Sequence, residues 1–242
     1  SYFTGNFPPY FSLEGLYSET DPKEDANWKT LIGKTNLIGD SKNNFELDSK
    51  ETLNFIRLQI FPDGGIARIR LFGEVKYNWN QFNSNEIIEL SSLKLGGSIL
   101  AYNNAHYGDV SALLSEGRGK TMGDGWETRR RREPGNDWII IKLAQKGNIE
   151  RIEIDTAHFK GNYPDRASIQ ATSIDKNITT KDLIQNSENW NIILDETKLS
   201  ADNIHKYKIN SNSKNEATHI RLNIYPDGGV SRLRIFGTKL DD

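Results

Sequence analysis

The sequence predicts an all-β protein built from two tandem β-sandwich or jelly-roll modules, of which the first lacks its N-terminal part. Three observations lead to this prediction: an internal repeat, short alternating apolar segments, and turn residues between those segments. The clearest repeat is "IRLQIFPDGGIARIRLFG" at residues 56–73, which returns as "IRLNIYPDGGVSRLRIFG" at residues 220–237 with 12 of 18 positions identical.

The remaining repeated segments define the predicted domains. They are "SYFTGNFP" (1–8) with "AHFKGNYP" (157–164), and "NWKTLIGKTNL" (27–37) with "NWNIILDETKL" (189–199). Nothing in the first copy matches residues 86–156. We therefore predict the back part of a first module at residues 1–73, a linker at 74–85 and a complete second module at 86–242. On this interpretation the first module is shortened, or the chain is a fragment.

Period-two patterns predict the individual strands. The segments "NFIRLQI", "ARIRLFG" and "IERIEIDTAHF" alternate between apolar and polar residues, and the last places Ile152, Ile154, Thr156 and His158 on one face. The β-branched run "WIIIKL" (138–143) is typical of a strand buried on both faces. Only "SALLSEG" and "TTKDLIQ" show a helical pattern.

Turn chemistry explains the repeated "PDGG". Proline favours the second position of a type I turn, aspartate tolerates the third, and a following glycine with positive φ completes a common hairpin loop. We therefore predict that Pro62 and its counterpart Pro226 each lie in the turn of the final hairpin of a module.

Composition excludes several classes of function. The net charge is −2, which argues against a nucleic-acid or membrane-surface binder. The chain contains no cysteine, so disulfides and thiolate metal sites are impossible, and a cytoplasmic location fits. No apolar run approaches the roughly 18 residues that a membrane-spanning helix needs.

Arginine occupies three matched positions in each copy of the repeat. They are Arg57, Arg68 and Arg70 in the first copy and Arg221, Arg232 and Arg234 in the second. Because arginine offers a planar, bidentate donor set, its partner is either a substrate carboxylate or a structural carboxylate on a neighbouring strand.

The segment "DGWETRRRREPGNDW" (124–138) is the most unusual stretch of the chain. It is either a solvated charged loop or a binding loop in which Arg129 or Arg130 clamps an anionic substrate. In the second case Asp124 or Glu127 acts as an acid or a base. A nucleic-acid patch is a weaker interpretation, because acidic residues flank the arginines.

His158 is the first candidate for proton transfer, since an imidazole titrates near neutral pH. Tyr2 occupies the matched position of the first copy, so only the second copy could use an imidazole there. The other histidines show no metal-ligand spacing, and no phosphate-binding loop or nucleophile elbow is present. We therefore predict no metal site and no evident cofactor, while dependence on a divalent metal stays open.

Together, "DGWETRRRREPGNDWIIIKL", "IDTAHFKGNYP" and the twice-used "IRLxIxPDGGxxRxRxFG" resemble the signature segments of the allantoicase (allantoate amidinohydrolase) family. "LGG" at 95–97 and "GRGKTMGDGWE" also fit. The resemblance covers residues 86–237 and the matching back part of the first module. It implies tandem jelly-roll modules of the galactose-binding-like type. It also implies hydrolysis of allantoate to ureidoglycolate and urea in allantoin degradation, by a cytoplasmic enzyme that is often a homo-oligomer.

The site residues that follow are assigned by residue type. The general acid and base are expected among His158, Asp124 and Glu127. The expected substrate ligands are Arg129, Arg130, Arg221 and Arg232 for the carboxylate, and Asp155, Asn162 and Asp227 for the ureido groups. Two other hypotheses stay open: a non-catalytic jelly-roll ligand-binding module, and an inactive truncated allantoicase.

Overall fold

The computed structural model describes residues 1–48, 50–175, 178–210 and 215–240. The chain divides into two compact units, which are Ser1–Gly73 (unit 1) and Glu74–Asp242 (unit 2). Nearly all regular structure in both units is β-strand, which confirms the predicted all-β class.

Unit 1 contains a three-stranded antiparallel sheet. Its strands are β1 (Tyr10–Leu16), β2 (Lys29–Asn36) and β3 (Phe55–Phe61), arranged in the order β2-β1-β3. Phe11 and Leu13 of β1 are buried, and residues on either side of them are more exposed. The central strand therefore alternates between buried and more exposed residues, as in a sheet with one covered face.

One predicted strand of unit 1 is absent. Residues 67–73 ("ARIRLFG") form no strand, and Ile69, Leu71 and Phe72 are exposed. Their counterparts in unit 2 form a strand because they bond to two neighbouring strands that come from residues 86–156. Within residues 1–73 no segment corresponds to those neighbours, so the backbone groups of residues 67–73 have no ladder to join.

Unit 2 contains ten strands, one α-helix and three short 3-10 helices in its described residues. The strands are β4 (Ile87–Glu89), β5 (Ser98–Tyr102), β6 (Trp126–Glu127), β7 (Asp137–Asp155), β8 (Arg166–Thr172), β9 (Asn191–Lys198), β10 (Ile204–Lys208), β11 (Glu216–Tyr225), β12 (Gly229–Val230) and β13 (Arg232–Lys239). The helical elements are α1 (Thr180–Ser187) and the 3-10 helices Trp79–Gln81, Leu93–Leu95 and Val110–Leu114. The segments "SALLSEG" and "TTKDLIQ" do supply helical turns, as predicted.

Strand β7 organises unit 2 by joining two sheet layers. Its first half pairs with β11 and β5, and its second half pairs with β13 and β10. The sequence suggested two separate strands here, but the structure has one continuous strand of 19 residues. Because β7 ends at Asp155, the predicted alternation does not extend to Thr156 and His158.

The predicted final hairpin is wrong. Strands β11 and β13 flank the "PDGG" segment but do not pair with each other, since each bonds to a different half of β7. The peptide bonds before Pro62 and Pro226 are both cis. The segment carries the chain from one sheet layer to the other. Its glycines are required there: Gly64 and Gly228 have φ values of 138° and 139°.

The core of unit 2 lies between the two layers. It combines isoleucines of both halves of β7, such as Ile139 and Ile152, with Leu222 of β11 and Leu233 of β13, and all four are fully buried. Ile140 points to the other face of its layer, where it packs with Trp190 and with Leu183 of α1. The run "WIIIKL" is therefore buried on both faces, as predicted.

Candidate active site

A loop at residues 117–127 covers the end of strands β7 and β13 and gathers most of the predicted site residues. Two arginines of β13 hold this loop in place. Arg232 donates to the carbonyl oxygen of Gly117 (3.2 Å), to the carbonyl oxygen of Asp124 (2.6 Å) and to its carboxylate (3.0 Å). Arg234 donates to the carbonyl oxygen of Gly117, and its Nη1 donates to both carboxylate oxygens of Glu89 at 2.9 Å. Two of the three matched arginines of the second copy, Arg232 and Arg234, thus act as structural donors for this loop.

Asp124 is held as a carboxylate. Burial acts to raise its pKa, but the backbone N–H of Lys120 (3.0 Å) and the guanidinium of Arg232 outweigh burial and lower the pKa. A lowered pKa means that Asp124 is ionised at neutral pH and is a weaker base than an ordinary aspartate.

A left-handed backbone conformation presents His158 to the loop. Its φ is 71°, and its N–H donates to the carboxylate of Asp202 at 2.9 Å. Tyr2 repeats this geometry in unit 1, with φ of 67° and a 2.7 Å bond to Asp40. Non-glycine residues seldom adopt this conformation. Its duplication shows that the backbone at this position is a property of the fold, and that the ring is the part that differs between the copies.

The ring of His158 contacts the loop directly. Its Nε2 lies 2.7 Å from the carbonyl oxygen of Gly119. A carbonyl oxygen only accepts hydrogen bonds, so Nε2 carries a proton. The Nδ1 atom is therefore the nitrogen that is left to exchange a proton with a ligand.

Asp155 and Asn162 lie around the same loop. Asp155 is buried at the end of β7, where it accepts from the N–H of Ala157 at 2.8 Å and pairs with Arg118 at 3.3 Å. The side-chain amide of Asn162 donates to Glu127 at 2.5 Å. The structure thus brings His158, Asp124, Glu127, Asp155, Asn162 and Arg232 to one loop. We call this group the loop cluster.

Sequence reasoning missed two members of this network, Arg118 and Asp202. Arg118 pairs with Asp155, and its guanidinium also lies 3.9 Å from Asp202. Asp202 could have been found from the repeat, since Asp40 is its counterpart and both have positive φ (45° for Asp40 and 49° for Asp202). Arg118 lies in the segment without a counterpart, so the comparison of copies carries no signal for it.

The arginine run at 129–132 does not act as one group. Arg129 and Arg130 are exposed to solvent. Arg131 turns inward and pairs with the fully buried Asp137 at 2.8 Å, and its backbone N–H donates to Asp227 at 2.8 Å. Asp227 therefore anchors the loop at residues 128–136. Arg132 is exposed like Arg129 and Arg130, so these three arginines are the members of the run that a ligand could reach.

Arg221 lies apart from the loop cluster, on the face of β11 opposite the main core. It is buried, it lies over the ring of Trp138, and it donates to Asn223 (3.0 Å) and to Ser187 (2.7 Å). It also lines a cavity of about 330 Å³. Burial lowers the pKa of its guanidinium.

Within residues 1–48, 50–175, 178–210 and 215–240, no group of three or more His, Asp or Glu side chains is arranged to hold a metal ion. None of the helices in those ranges has the length and apolar character that crossing a membrane requires.

Comparison with known families matches both copies of the repeat. Residues 1–76 and 88–240 each match the family model described as the allantoicase repeat. A probable allantoicase of Rhizobium meliloti (strain 1021) is 49% identical over 244 residues, which cover 100% of this chain and 71% of the relative. Probable allantoicase 2 of Burkholderia pseudomallei (strain K96243) is 44% identical, over 98% of this chain and 70% of the relative.

A solved structure shows the same architecture. The crystal structure of allantoicase from Saccharomyces cerevisiae superposes with a TM-score of 0.84 at 34% sequence identity. The alignment covers 98% of this chain and 70% of that chain. The agreement supports the tandem arrangement of two related β-modules.

Proposed function

Because the chain belongs to the allantoicase family, we propose that it hydrolyses allantoate to ureidoglycolate and urea in allantoin degradation. The observation that carries this proposal is the match of both repeats to the family, with up to 49% identity across the whole chain. The chain spans about 70% of the length of those relatives.

The reaction breaks one bond between the central carbon of allantoate and a ureido nitrogen. Water forms a new bond between its oxygen and that carbon, gives up a proton to a base, and the departing urea nitrogen receives a proton from an acid. We propose that the loop cluster supplies both groups. Its imidazole, three carboxylates and amide are gathered by one loop, which is the kind of preorganised arrangement that acid–base catalysis requires.

Within the loop cluster, we propose His158 as the acid and Glu127 as the base. The Nδ1 atom of His158 is left to exchange a proton, since Nε2 bonds to Gly119. Asp124 is the poorer base because its pKa is lowered by its bonds to Lys120 and Arg232. Its part in this scheme is to keep the loop closed on β13.

Substrate binding is proposed for the remaining predicted residues. Arg129 and Arg130 are exposed and able to reach an anion, while Asp155, Asn162, Asp227 and Arg232 already bond to protein groups around the two loops. Arg221 is proposed as a carboxylate ligand because it lines a cavity and its contacts with Asn223, Ser187 and Trp138 are all with uncharged groups. A cytoplasmic location, assembly into a homo-oligomer, and module boundaries at 1–73, 74–85 and 86–242 are further parts of the proposal.

The proposed function is tested by measuring urea release from allantoate with the purified chain. Circular dichroism first establishes that the protein is folded. We expect urea and ureidoglycolate in equal amounts, at a rate proportional to enzyme concentration. Folded protein that releases no urea above the buffer blank would exclude the activity for this chain. The His158→Tyr variant, purified in the same way, controls for contaminating host enzymes.

A further inference from the structure

Arg221 is a buried cation that forms no ion pair within residues 1–48, 50–175, 178–210 and 215–240. Its relative exposure is 5%, and its partners Asn223, Ser187 and Trp138 are all uncharged. Among the described residues, no carboxylate forms an ion pair with it. Arginine stays protonated in proteins, and a buried charge is costly unless a charged partner compensates it. The structure therefore leaves a positive charge to be neutralised.

The first copy of the repeat supplies the missing carboxylate. Arg57 is the counterpart of Arg221, and it pairs with Glu14 at 2.6 Å. Glu14 stands directly opposite Arg57 in the sheet, just as Gln170 stands opposite Arg221. The two copies thus share the arginine and its cross-strand position, but the second copy has an amide where the first has an acid. The exchange removes one negative charge and conserves the shape of the side chain.

A cavity lies beside Arg221 in the copy that lacks the carboxylate. The space of about 330 Å³ beside Arg221 is also lined by the amides of Asn136, Gln170 and Asn223 and by the hydroxyls of Ser168 and Tyr225. Its size is within the usual range for small-molecule sites. The nitrogens of these three side-chain amides already donate to protein groups, which leaves the hydroxyls of Ser168 and Tyr225 to bond to a ureido group.

An acidic residue also borders the cavity. Glu188 lies on its rim and is exposed to solvent. Its charge acts on Arg221, but the two side chains make no ion-pair contact. Water screens an exposed carboxylate, so Glu188 only partly offsets the buried guanidinium. Its oxygens can accept the N–H groups of a bound ureido arm.

We propose that this cavity binds the carboxylate of a small ureido acid, with Arg221 as its ionic partner and the surrounding hydroxyls and Glu188 as partners of the ureido groups. The carboxylate site follows from the missing counterion. The assignment of the ligand as a ureido acid rests on the proposed function, because allantoate and ureidoglycolate are both molecules of this class. The bound carboxylate takes the position that Glu14 takes in unit 1.

The decisive experiment restores the internal carboxylate by Gln170→Glu. The new side chain competes for Arg221, so we expect allantoate affinity in calorimetry to fall roughly 10- to 100-fold, the weight of a charge-assisted contact. Affinity for diureidomethane, which has the same ureido arms without the carboxylate, should not change. The reverse change Glu14→Gln in unit 1 is the matched control and should leave allantoate binding unaltered.

A second variant guards against a folding defect in Gln170→Glu. Arg221→Gln removes a buried charge that has no counterion, so its thermal unfolding midpoint should not drop, and its allantoate affinity should fall by a similar factor. A measurement on the unchanged protein is independent of both variants: allantoate should bind more tightly than diureidomethane. Equal affinities for the two ligands would overturn the proposal.

The same two variants show whether the ligand is the substrate or the product. They also distinguish failure of the site from failure of the proposed function. A raised KM for allantoate in Gln170→Glu identifies the substrate as the ligand, while lost ureidoglycolate binding with an unchanged KM identifies a second site for the product. If the protein binds a carboxylate through Arg221 but releases no urea, the proposed function is refuted and the carboxylate site is supported. Unchanged KM and unchanged affinities for both acids in the two variants would refute the site and keep the function.

Discussion

His158 donates from Nε2 to the backbone carbonyl oxygen of Gly119 across 2.7 Å, which joins the imidazole to the loop at residues 117–127. This bond decides which nitrogen of the ring is available, because Nε2 must carry its proton to make it. It also makes the position of the ring depend on the loop, and the loop depends on Arg232. The candidate acid is therefore positioned from two sides, by its own left-handed backbone and by the loop above it.

Replacing His158 with tyrosine tests the role of the imidazole with a residue that the fold already accepts. Tyr2 has the same positive φ and the same bond to an aspartate in unit 1, so we expect His158→Tyr to fold normally. Loss of a general acid should lower kcat for urea release by about 10²- to 10⁴-fold. The measurements are steady-state kinetics and thermal unfolding. A folded variant that keeps full kcat would remove His158 from the mechanism.

Arg232 should be essential for stability, whereas its counterpart Arg68 should not. Arg232 is 2% exposed and bonds to two loop residues, while Arg68 is exposed to solvent. We expect Arg232→Met to lower the free energy of unfolding by about 2–4 kcal/mol, since the half-buried Asp124 loses its cation but can regain water. Arg68→Met should change the stability by less than about 0.5 kcal/mol. Urea denaturation of both variants, followed by tryptophan fluorescence, makes the comparison. Equal losses would show that the loop does not depend on Arg232.

The all-β class and the repeat could be predicted from the sequence because both depend on local patterns of residues. The alternation of apolar and polar residues in "NFIRLQI", and the buried run at the start of β7, are set by residues within a few positions of each other. The pairing of β11 and β13 with different halves of β7 depends on contacts far apart in the chain. The turn residues between Tyr225 and Arg232 carry no information about that choice, so the predicted hairpin was wrong.

The candidate site was predictable to a similar degree. Residue type and position pointed to His158, Asp124 and Glu127, which one loop does bring together. Of the two interpretations of the matched arginines, pairing with a structural carboxylate is confirmed for Arg234, which pairs with Glu89. The charge difference between Glu14 and Gln170 lies outside the repeated segments found in the sequence. Its meaning became clear only when the structure placed each residue opposite its arginine.

The stability of unit 2 should depend on pH through His219. Burial and the positive charge of Lys142 lower the pKa of this imidazole from 6.5 to about 4. As the pH falls, His219 is therefore protonated near pH 6.5 in the unfolded chain but only near pH 4 in the folded chain. Stability from this group is complete above pH 6.5 and declines as the pH falls to about 4, by about 3 kcal/mol in total.

Removing the imidazole isolates this contribution from that of the carboxylates. The free energy of unfolding, measured in urea at pH 7.5 and at pH 4.5, should decline less in His219→Gln than in the unchanged protein. His205 is the control, since it lies on β10 and bonds to Ser200 and Ile154. If His219→Gln retains the full decline between these pH values, the imidazole is not the group responsible.

Gly229 should tolerate no side chain, because Phe159 fills the space where a Cβ would lie. An alanine Cβ would come within 1.9 Å of the Phe159 ring, and Phe159 is fully buried. We expect Gly229→Ala to cost about 1–3 kcal/mol of stability as the ring is forced aside. Since Phe159 follows His158 in the chain, the shift should also misplace the imidazole and lower kcat, on the order of 10²-fold.

The matched change in unit 1 shows whether burial of the ring decides the outcome. Gly65 faces Phe3 in the same way, with a Cβ distance of 2.2 Å, but Phe3 is partly exposed and can rotate toward solvent. Gly65→Ala should therefore cost less than about 1 kcal/mol and leave kcat unchanged. Chemical denaturation and urea-release kinetics on both variants test this difference. Equal costs in the two units would mean that the rigidity of the Phe159 ring does not position His158.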